Sequence, residues 1–488
     1  MNRLRGLVAA ALLLGGLGVL PPAAATPGSA AYQQALKLGT EAYVYAYPLL
    51  DTERVFRTST STNVPNGSGA GPVNQFSHFR RLANPLDRTV VAPNHDTLYS
   101  MAWLDLRRGP VVLQMPVVHN RFTVMELLDP YTENFAAVGS VGHRPGSYAV
   151  EGPGWHGRLP RRVHAIRAPY DRVWVIGRTY IRDAADAPNV GRIQNQYRLT
   201  PLSAWGTAYR PPRPRHLITR PTAHTVPGTL AGSDPLAFFD ALGDELHRFP
   251  PPLRDRPLLS RLAAVGIGPG RHPSRESLSA DVRRGLDDAL AAGAAEVKAD
   301  TQRSFLTGAP AHNGWLVSSL GTYGTNYAER AEVDAIGLGA PRAYLAMYPF
   351  TITDRDLHPL TGADRYVAHV DRRYLPFPAR AFWSLTLYDA HGYLVRGAAH
   401  VYLINDRSPT VRNPDGSLDI YIQPHAPAEA RQRRNWLPSP AGLGFRLIMR
   451  LYEPVDIPGI LSGRTWQPPT VLPCLPSERT SAGVACPS

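Results

Sequence analysis

"RFTVMELLD", residues 121–129, alternates side chains as a β-strand does and closes on an aspartate. "AFWSLTLYD", residues 381–389, repeats the pattern. Phe122 lines up with Phe382, Met125 with Leu385, Leu127 with Leu387 and Asp129 with Asp389. Upstream, "YSMAWLDLRR" from Tyr99 resembles "YVAHVDRR" from Tyr366 at nearly the same offset. The echo favours two β domains of similar construction. Asp129 and Asp389, closing matching strands, read as turn initiators.

The surrounding chain fits that plan. Between 94 and 180, "TLYSMAWLDL", "VVLQMP", "RFTVMELLD", "RVHAIRA" and "VWVIGRTYI" are short, apolar and divided by Gly or Pro. Strands return in "AYLAMYPFTIT", "RYVAHVD", "AFWSLTLYD", "SLDIYIQ" and "FRLIMRLYEP". "NPDGS" (413–417) is a hairpin signal. Residues 235–303 read as helical. So do residues 31–57, where Leu38, Ala42, Tyr45 and Leu49 recur at helical spacing and Pro48 is expected to end or kink the helix. "VGRIQNQYRLTPLSAWG" reads as a short helix running into a loop.

The chain has 488 residues, 43% of them hydrophobic, which is enough for two domains with real cores. Its 48 prolines, about twice average usage, favour turns over long helices. The boundaries drawn are 1–25 signal peptide, 31–57 helix, 58–200 first domain and 201–308 loop and helical connection. The second domain follows over 309–458 and a tail over 459–488. The leader has Arg3 and Arg5 before an apolar run from Gly6 to Leu20, then Ala23 and Ala25 as a cleavage site. That run is shorter than the roughly 20 residues a membrane span needs, so export and cleavage are expected, with no transmembrane segment afterwards. Cys474 and Cys486 are the only cysteines, and export permits a disulfide between them. Such a bond would contribute about 3 kcal/mol and pin the tail. The formal charge of +13 comes from dispersed arginines, with Lys37 and Lys298 the only lysines, and gives no stripe for nucleic acid.

"NHDTLYSMAWLDLRRGPVVLQMP" followed by "LLDPYTENFAAVG" resembles the bacterial domain of unknown function 1254. "YLAMYPFTITD", "FWSLTLYDAHGYLV", "NPDGSLDIYIQ" and "NWLPSPAGLGFRLIMRLYEP" resemble its partner, domain of unknown function 1214. The resemblance spans most of residues 30–470. It implies a mainly β fold with helical segments: two tandem jelly-roll-like β-sandwich domains joined by a helical region. It implies no catalytic residues. His95 departs from the second Asn or similar polar residue expected there.

Candidate sites follow from strand alternation. Asn94, His95 and Asp96 precede a strand whose one face carries Tyr99, Met101 and Trp103. Read as a site, Asn94 and Asp96 rim an aromatic wall of Tyr99 and Trp103 that suits a sugar or a small amphipathic ligand. Read structurally, Asn94 and Asp96 bond their own turn and the aromatics pack. Glu126 shares a strand face with Phe122, Val124 and Leu128; burial there would raise its pKa and make it an acid or base candidate. Paired with Asp96, it could serve glycoside-type hydrolysis. "GTYGTNYAER" (321–330) offers Tyr327 and Arg330 at a domain junction, with Arg330 suited to an anion; a helix start after a Gly-rich loop is the structural alternative. A cupin-like metal site on His95 is disfavoured, because adjacent strand residues point to opposite faces.

The sequence holds no G-x-S-x-G elbow, Walker loop, H-E-x-x-H or dinucleotide fingerprint, so no cofactor is expected. The expectation is an exported or periplasmic protein that holds a carbohydrate or small amphipathic molecule at the cell envelope. A carboxylate-pair hydrolase is the alternative, and the cupin-like metal enzyme comes third.

Overall fold

A computed structural model describes residues 28–88, 91–219, 235–307, 312–397, 400–474, 484 and 486. The expected signal peptide lies outside these residues. Helix α1 (Ala30–Thr60) starts at Ser29, whose hydroxyl accepts the Tyr32 N–H. Pro48 does not end it; the helix runs on to Thr60.

The first half holds strands β1 (Ser77–His78), β2 (Thr97–Asp105), β3 (Val111–Gln114), β4 (Thr123–Leu128) and β5 (Asn134–Gly139), followed by β6 (Ser147–Glu151), β7 (Val163–Arg167), β8 (Arg172–Tyr180) and β9 (Arg198–Pro201). Helix α2 (Ala187–Gln194) precedes β9, which the sequence reading took as loop. Helices α3 (Pro235–Arg248), α4 (Arg256–Leu262), α5 (Ala280–Thr307) and α6 (Tyr327–Gly337) connect the halves. The second half holds β10 (Ala346–Met347), β11 (Phe350–Thr351), β12 (Tyr366–Val370), β13 (Ala379–Asp389) and β14 (Leu403–Asn405), followed by β15 (Leu418–Gln423), β16 (Trp436–Pro438), β17 (Phe445–Pro454) and β18 (Thr470–Pro473). The short helices α7 (Ala430–Arg434) and α8 (Ile457–Leu461) complete it.

Each half stacks two sheets, and among the described residues no sheet closes into a barrel. In the first half the sheets run β1-β2-β8-β4-β5 and β7-β6-β3-β9. In the second they run β10-β17-β13-β14, with β11 also on β17, and β16-β15-β12-β18. The apolar faces of each sheet pair form one core. Leu104, Met125, Leu127 and Val175 meet Val111, Leu113, Val150 and Ile166 in the first half. Leu385, Leu387, Leu447 and Met449 meet Ala368, Ile420, Ile422 and Val471 in the second.

Apart from β1, the two layouts correspond. Strands β3 to β9 correspond one by one to β12 to β18, down to the parallel pair at the sheet edge, β6 with β7 and β15 with β16. The echo of β4 in β13 is therefore a topological equivalence. After each, an aspartate side chain accepts two backbone N–H groups: Asp129 from Tyr131 and Glu133, Asp389 from His391 and Tyr393. The second echo fails. The strand at Tyr366 is β12, the counterpart of β3, whereas Tyr99 lies in β2. Two short aromatic strands that run into an aspartate and a pair of arginines look alike whatever their place in a fold.

The expected tail supplies β18, which pairs with β12. The "NPDGS" turn forms, but the strands beside it, β14 and β15, lie in different sheets. Cys474 and Cys486 sit at disulfide distance, with a Cα–Cα separation of 5.7 Å. No helix among the described residues is long and apolar enough to cross a membrane.

Candidate functional site at the junction of the halves

The larger sheet of each half has a second face, and that face decides where the candidate residues go. On β4, Met125 and Leu127 point into the sandwich, so Val124 and Glu126 point out. On β13, Leu385 and Leu387 point in, so Ser384 and Thr386 point out. These outer faces meet. Phe122, Val124 and Ala137 of the first half pack on Leu345, Ala346, Phe382 and Tyr452 of the second. Phe382 stacks on Tyr452 with ring centroids 4.1 Å apart. Both faces of β4 are covered for this reason, and the outer face of β2 is covered by Phe56 of α1.

A polar layer lies inside the junction. Register makes its two sides equivalent. On β8, Arg178 stands opposite Val124 and Tyr99. On β17, Arg450 stands opposite Ser384, and β10 and β11 flank Tyr348 across from it, since Met347 pairs with Leu451 and Phe350 with Ile448. Each guanidinium lies near the ring of its tyrosine, Arg178 at 5.5 Å from Tyr99 and Arg450 at 5.6 Å from Tyr348. Each also donates to a backbone carbonyl of the opposite half, Arg178 to Gly339 at 3.2 Å and Arg450 to Ala92 at 3.0 Å. Tyr99 and Tyr348 are partly exposed, and neither hydroxyl has a hydrogen-bond partner among the described residues.

The two sides differ in what faces the arginine. Glu126 is fully buried and ion-paired with Arg178, and Asn134 Nδ2 donates to its other oxygen at 3.0 Å. Burial raises the Glu126 pKa, while Arg178 and then Asn134 oppose the rise. The equivalent position on β13 is Thr386, whose hydroxyl accepts from Arg450 at 3.0 Å.

Asn94 and Asp96 reach the same layer from the turn before β2. Asn94 Oδ1 accepts the backbone N–H groups of Asp96 (2.6 Å) and Thr97 (3.1 Å), so it does bond its own turn. Its amide also donates to the Tyr452 hydroxyl across the junction. Asp96 is fully buried and bridges to the second half, accepting from Arg407 at 2.8 Å and Asn405 at 3.2 Å. Glu126 and Asp96 therefore each have their own cation, and they share no partner. His95 turns away. Its Nδ1 lies 2.8 Å from the Ala83 carbonyl, its ring meets Tyr402 edge-on, and burial lowers its pKa. Among the described residues no three His, Cys, Asp or Glu side chains converge as metal ligands would.

Asn94, Asp96, Tyr99 and Glu126 thus come together. The remaining candidates do not join them. Trp103 stacks flat on Trp174 at 5.0 Å under Phe56 of α1. Tyr327 opens α6 behind its cap Asn326, one turn before Arg330. Arg330 is 1% exposed among the rings of Tyr45, Tyr131 and Tyr327, 5.2 to 5.5 Å from each centroid. The guanidinium has no hydrogen-bond acceptor among the described residues. Asp255 accepts from the hydroxyls of Tyr45 and Tyr327.

Sequence reasoning missed Arg178, Tyr348, Arg407, Arg450 and Tyr452. Arg178 in "VWVIGRTYI" and Arg450 in "FRLIMRLYEP" carried the signal that singled out Glu126, a charge inside an apolar strand. A separate cleft of about 710 Å³ lies on the first half, with Trp155, Tyr209, Asn74 and Arg108 on its walls.

Fold and junction define a class: a tandem β protein whose halves share one layout and meet face to face. Residues 73–201 match the family described as Protein of unknown function (DUF1254), and residues 345–456 match Protein of unknown function (DUF1214). The two matches lie in tandem along the chain, in that order. It is similar to the crystal structure of the VPA0106 protein from Vibrio parahaemolyticus, with 21% sequence identity and a TM-score of 0.64 over 90% of this chain and 99% of that one. That likeness is one of fold. An uncharacterized protein from Burkholderia cenocepacia is 13% identical, with a TM-score of 0.41 over 87% of this chain and 92% of that one. No curated protein matches the chain.

Proposed function

We propose that this is an exported binding protein that holds a carbohydrate or small amphipathic molecule at the junction of its halves. One observation carries the reading. Tyr99 and Tyr348, equivalent residues of the two halves, stay partly exposed with hydroxyls that have no hydrogen-bond partner among the described residues, in a layer where Arg178, Arg450, Glu126 and Asp96 are buried. Aromatic walls with a few convergent polar groups are how small ligands are commonly held. The halves are read as jelly-roll-type sandwiches, in keeping with their paired sheets. An envelope location accords with the cysteine pair and with the leader read from the sequence. The hydrolase alternative is weaker. Glu126 and Asp96 pair with different arginines and share no partner, so nothing joins them as one two-carboxylate site.

The test is calorimetric titration of methyl β-glucoside, octyl β-glucoside and benzoate into the protein, with native mass spectrometry of protein from its natural host. Binding of one probe, or a retained small molecule, that Tyr99→Ala/Tyr348→Ala weakens at least tenfold supports the reading. No saturable binding and no retained molecule overturn it. Turnover of a glycoside that Glu126→Gln abolishes would restore the hydrolase.

A further inference from the structure

If the junction binds a small molecule, the difference between its two sides points to the charge of that molecule. Glu126 stands opposite Ile176 on β8, and Thr386 stands opposite Ile448 on β17. The two positions are equivalent, as are Arg178 and Arg450. We infer that Arg450 receives the carboxylate of an amphipathic monoacid, in the place that Glu126 fills beside Arg178.

Arg450 is 4% exposed. It donates to the hydroxyls of Thr386 (3.0 Å) and Tyr388 (2.7 Å) and to the Ala92 carbonyl (3.0 Å). All three acceptors are neutral. Tyr388 cannot supply a negative charge, because its own hydroxyl donates to the Pro93 carbonyl at 2.9 Å. Arg450 forms no ion pair among the described residues, and its Nε–H meets no acceptor there. Asp96 acts on it through space but makes no contact with it; the Asp96 Oδ1 atom is held by Arg407 and Asn405. A cation this deep, without a contacting carboxylate, is costly to keep, and an anion that pairs with it recovers the cost. With Nη1 on Thr386 and Nη2 on Ala92 and Tyr388, the Nε–H is the donor left for one oxygen of an acid. Beside Arg450, the ring of Tyr348 offers a face for the apolar part of the acid.

The carboxylate could belong to an aromatic acid, an aliphatic acid or an acidic sugar. Titration of the full chain with three matched pairs separates these sources: benzoate and benzamide, hexanoate and hexanamide, glucuronate and glucose. The expected result is that one acid binds at least tenfold more tightly than its neutral mate, and that acid names the source. Arg450→Gln should erase this preference by removing the cation. Thr386→Glu should erase it by supplying the missing carboxylate internally, as Glu126 does in the other half. The two variants perturb the core in different ways, so one folded variant suffices. Equal binding of acid and neutral mate overturns the inference, as does a preference that persists in a folded variant. If the neutral mates bind and Tyr99→Ala weakens them, the junction still binds a ligand and only the acid assignment falls. If none of the six binds, the acid assignment falls, and the reading of the junction as a ligand site is decided separately by the glucoside titrations and the mass spectrometry above.

Discussion

Removing the Glu126 carboxylate would leave Arg178 charged at 6% exposure, with only the Gly339 carbonyl as a hydrogen-bond acceptor. Breaking a buried pair from one side costs about 3–5 kcal/mol, because the orphaned charge stays buried. Glu126→Ala should therefore lower the unfolding free energy by about that much, read from denaturant midpoints at unchanged slope. Adding Arg178→Met should return a large part of the loss. If the double variant is less stable than the single one, the pair is not the source of the cost. A second residue sets a pH dependence. His78 lies against Phe76, with Nδ1 2.8 Å from the Ser100 hydroxyl, and burial and then Arg80 and Arg198 lower its pKa to about 4. The unfolded chain takes up that proton near pH 6.5 and the folded chain only near 4. Stability from this group is thus complete above about pH 6.5, falls as the pH drops towards 4 and then levels off. His78→Gln should flatten that part of the stability–pH curve; an unchanged slope would mean the ring is protonated in the fold.

Helices α1 and α5 show how much of an element can be read from its own letters. Gly285, Ala289 and Gly293 recur every fourth residue, so they line one face of α5. A Cβ on Gly285 would sit 2.6 Å from the Tyr32 carbonyl oxygen, and one on Gly293 would sit 2.6 Å from the Tyr43 Cβ. Gly→Ala inside a helix ordinarily stabilises by about 0.5–1 kcal/mol. Here the sign should reverse. Gly285→Ala should destabilise by about 1–3 kcal/mol, because helix backbones cannot part locally without losing their packing. A rise in midpoint would show that the helices sit further apart. The helices themselves were legible, since apolar spacing is a local property. That Pro48 is tolerated within α1 was not, because burial of the surrounding turn between α5 and α6 holds the helix through it. Strand β4 and its copy β13 were legible through alternation and the closing aspartates. Their shared role was clear only once the strands had partners: β3 and β12, "VVLQ" and "YVAHV", have almost no letters in common yet occupy the same place.

At the scale of the whole molecule, the site depends on the halves closing on each other. Glu126 could be singled out from sequence because it interrupts an apolar strand face. Whether that face meets solvent or a second domain is set by residues more than 200 positions away, such as Phe382 and Tyr452, and no local pattern encodes it. Arg178 and Arg450 were passed over for the same reason. The physical consequence is cooperativity. The junction joins Phe122 and Val124 to Phe382 and Tyr452, and hydrogen bonds cross it from Asn94 to Tyr452, from Arg450 to Ala92, from Arg178 to Gly339 and from Arg407 to Asp96. A half that opened alone would expose the apolar cluster and strand those polar groups without partners. Opening one half should therefore release the other, and calorimetry of the intact chain should show one endotherm for both sandwiches. Phe382 is the place to break the link. It is 3% exposed and touches the rings of Tyr452, Phe122 and Tyr180, so Phe382→Ala removes contacts on both sides at once. The truncation costs about 3–5 kcal/mol, drawn from the coupling between the halves as much as from the second core. The endotherm should then broaden or split, with the second half melting first. Two separated endotherms in the unaltered protein would show that the halves fold independently, and a ligand site built from both would then form only after docking.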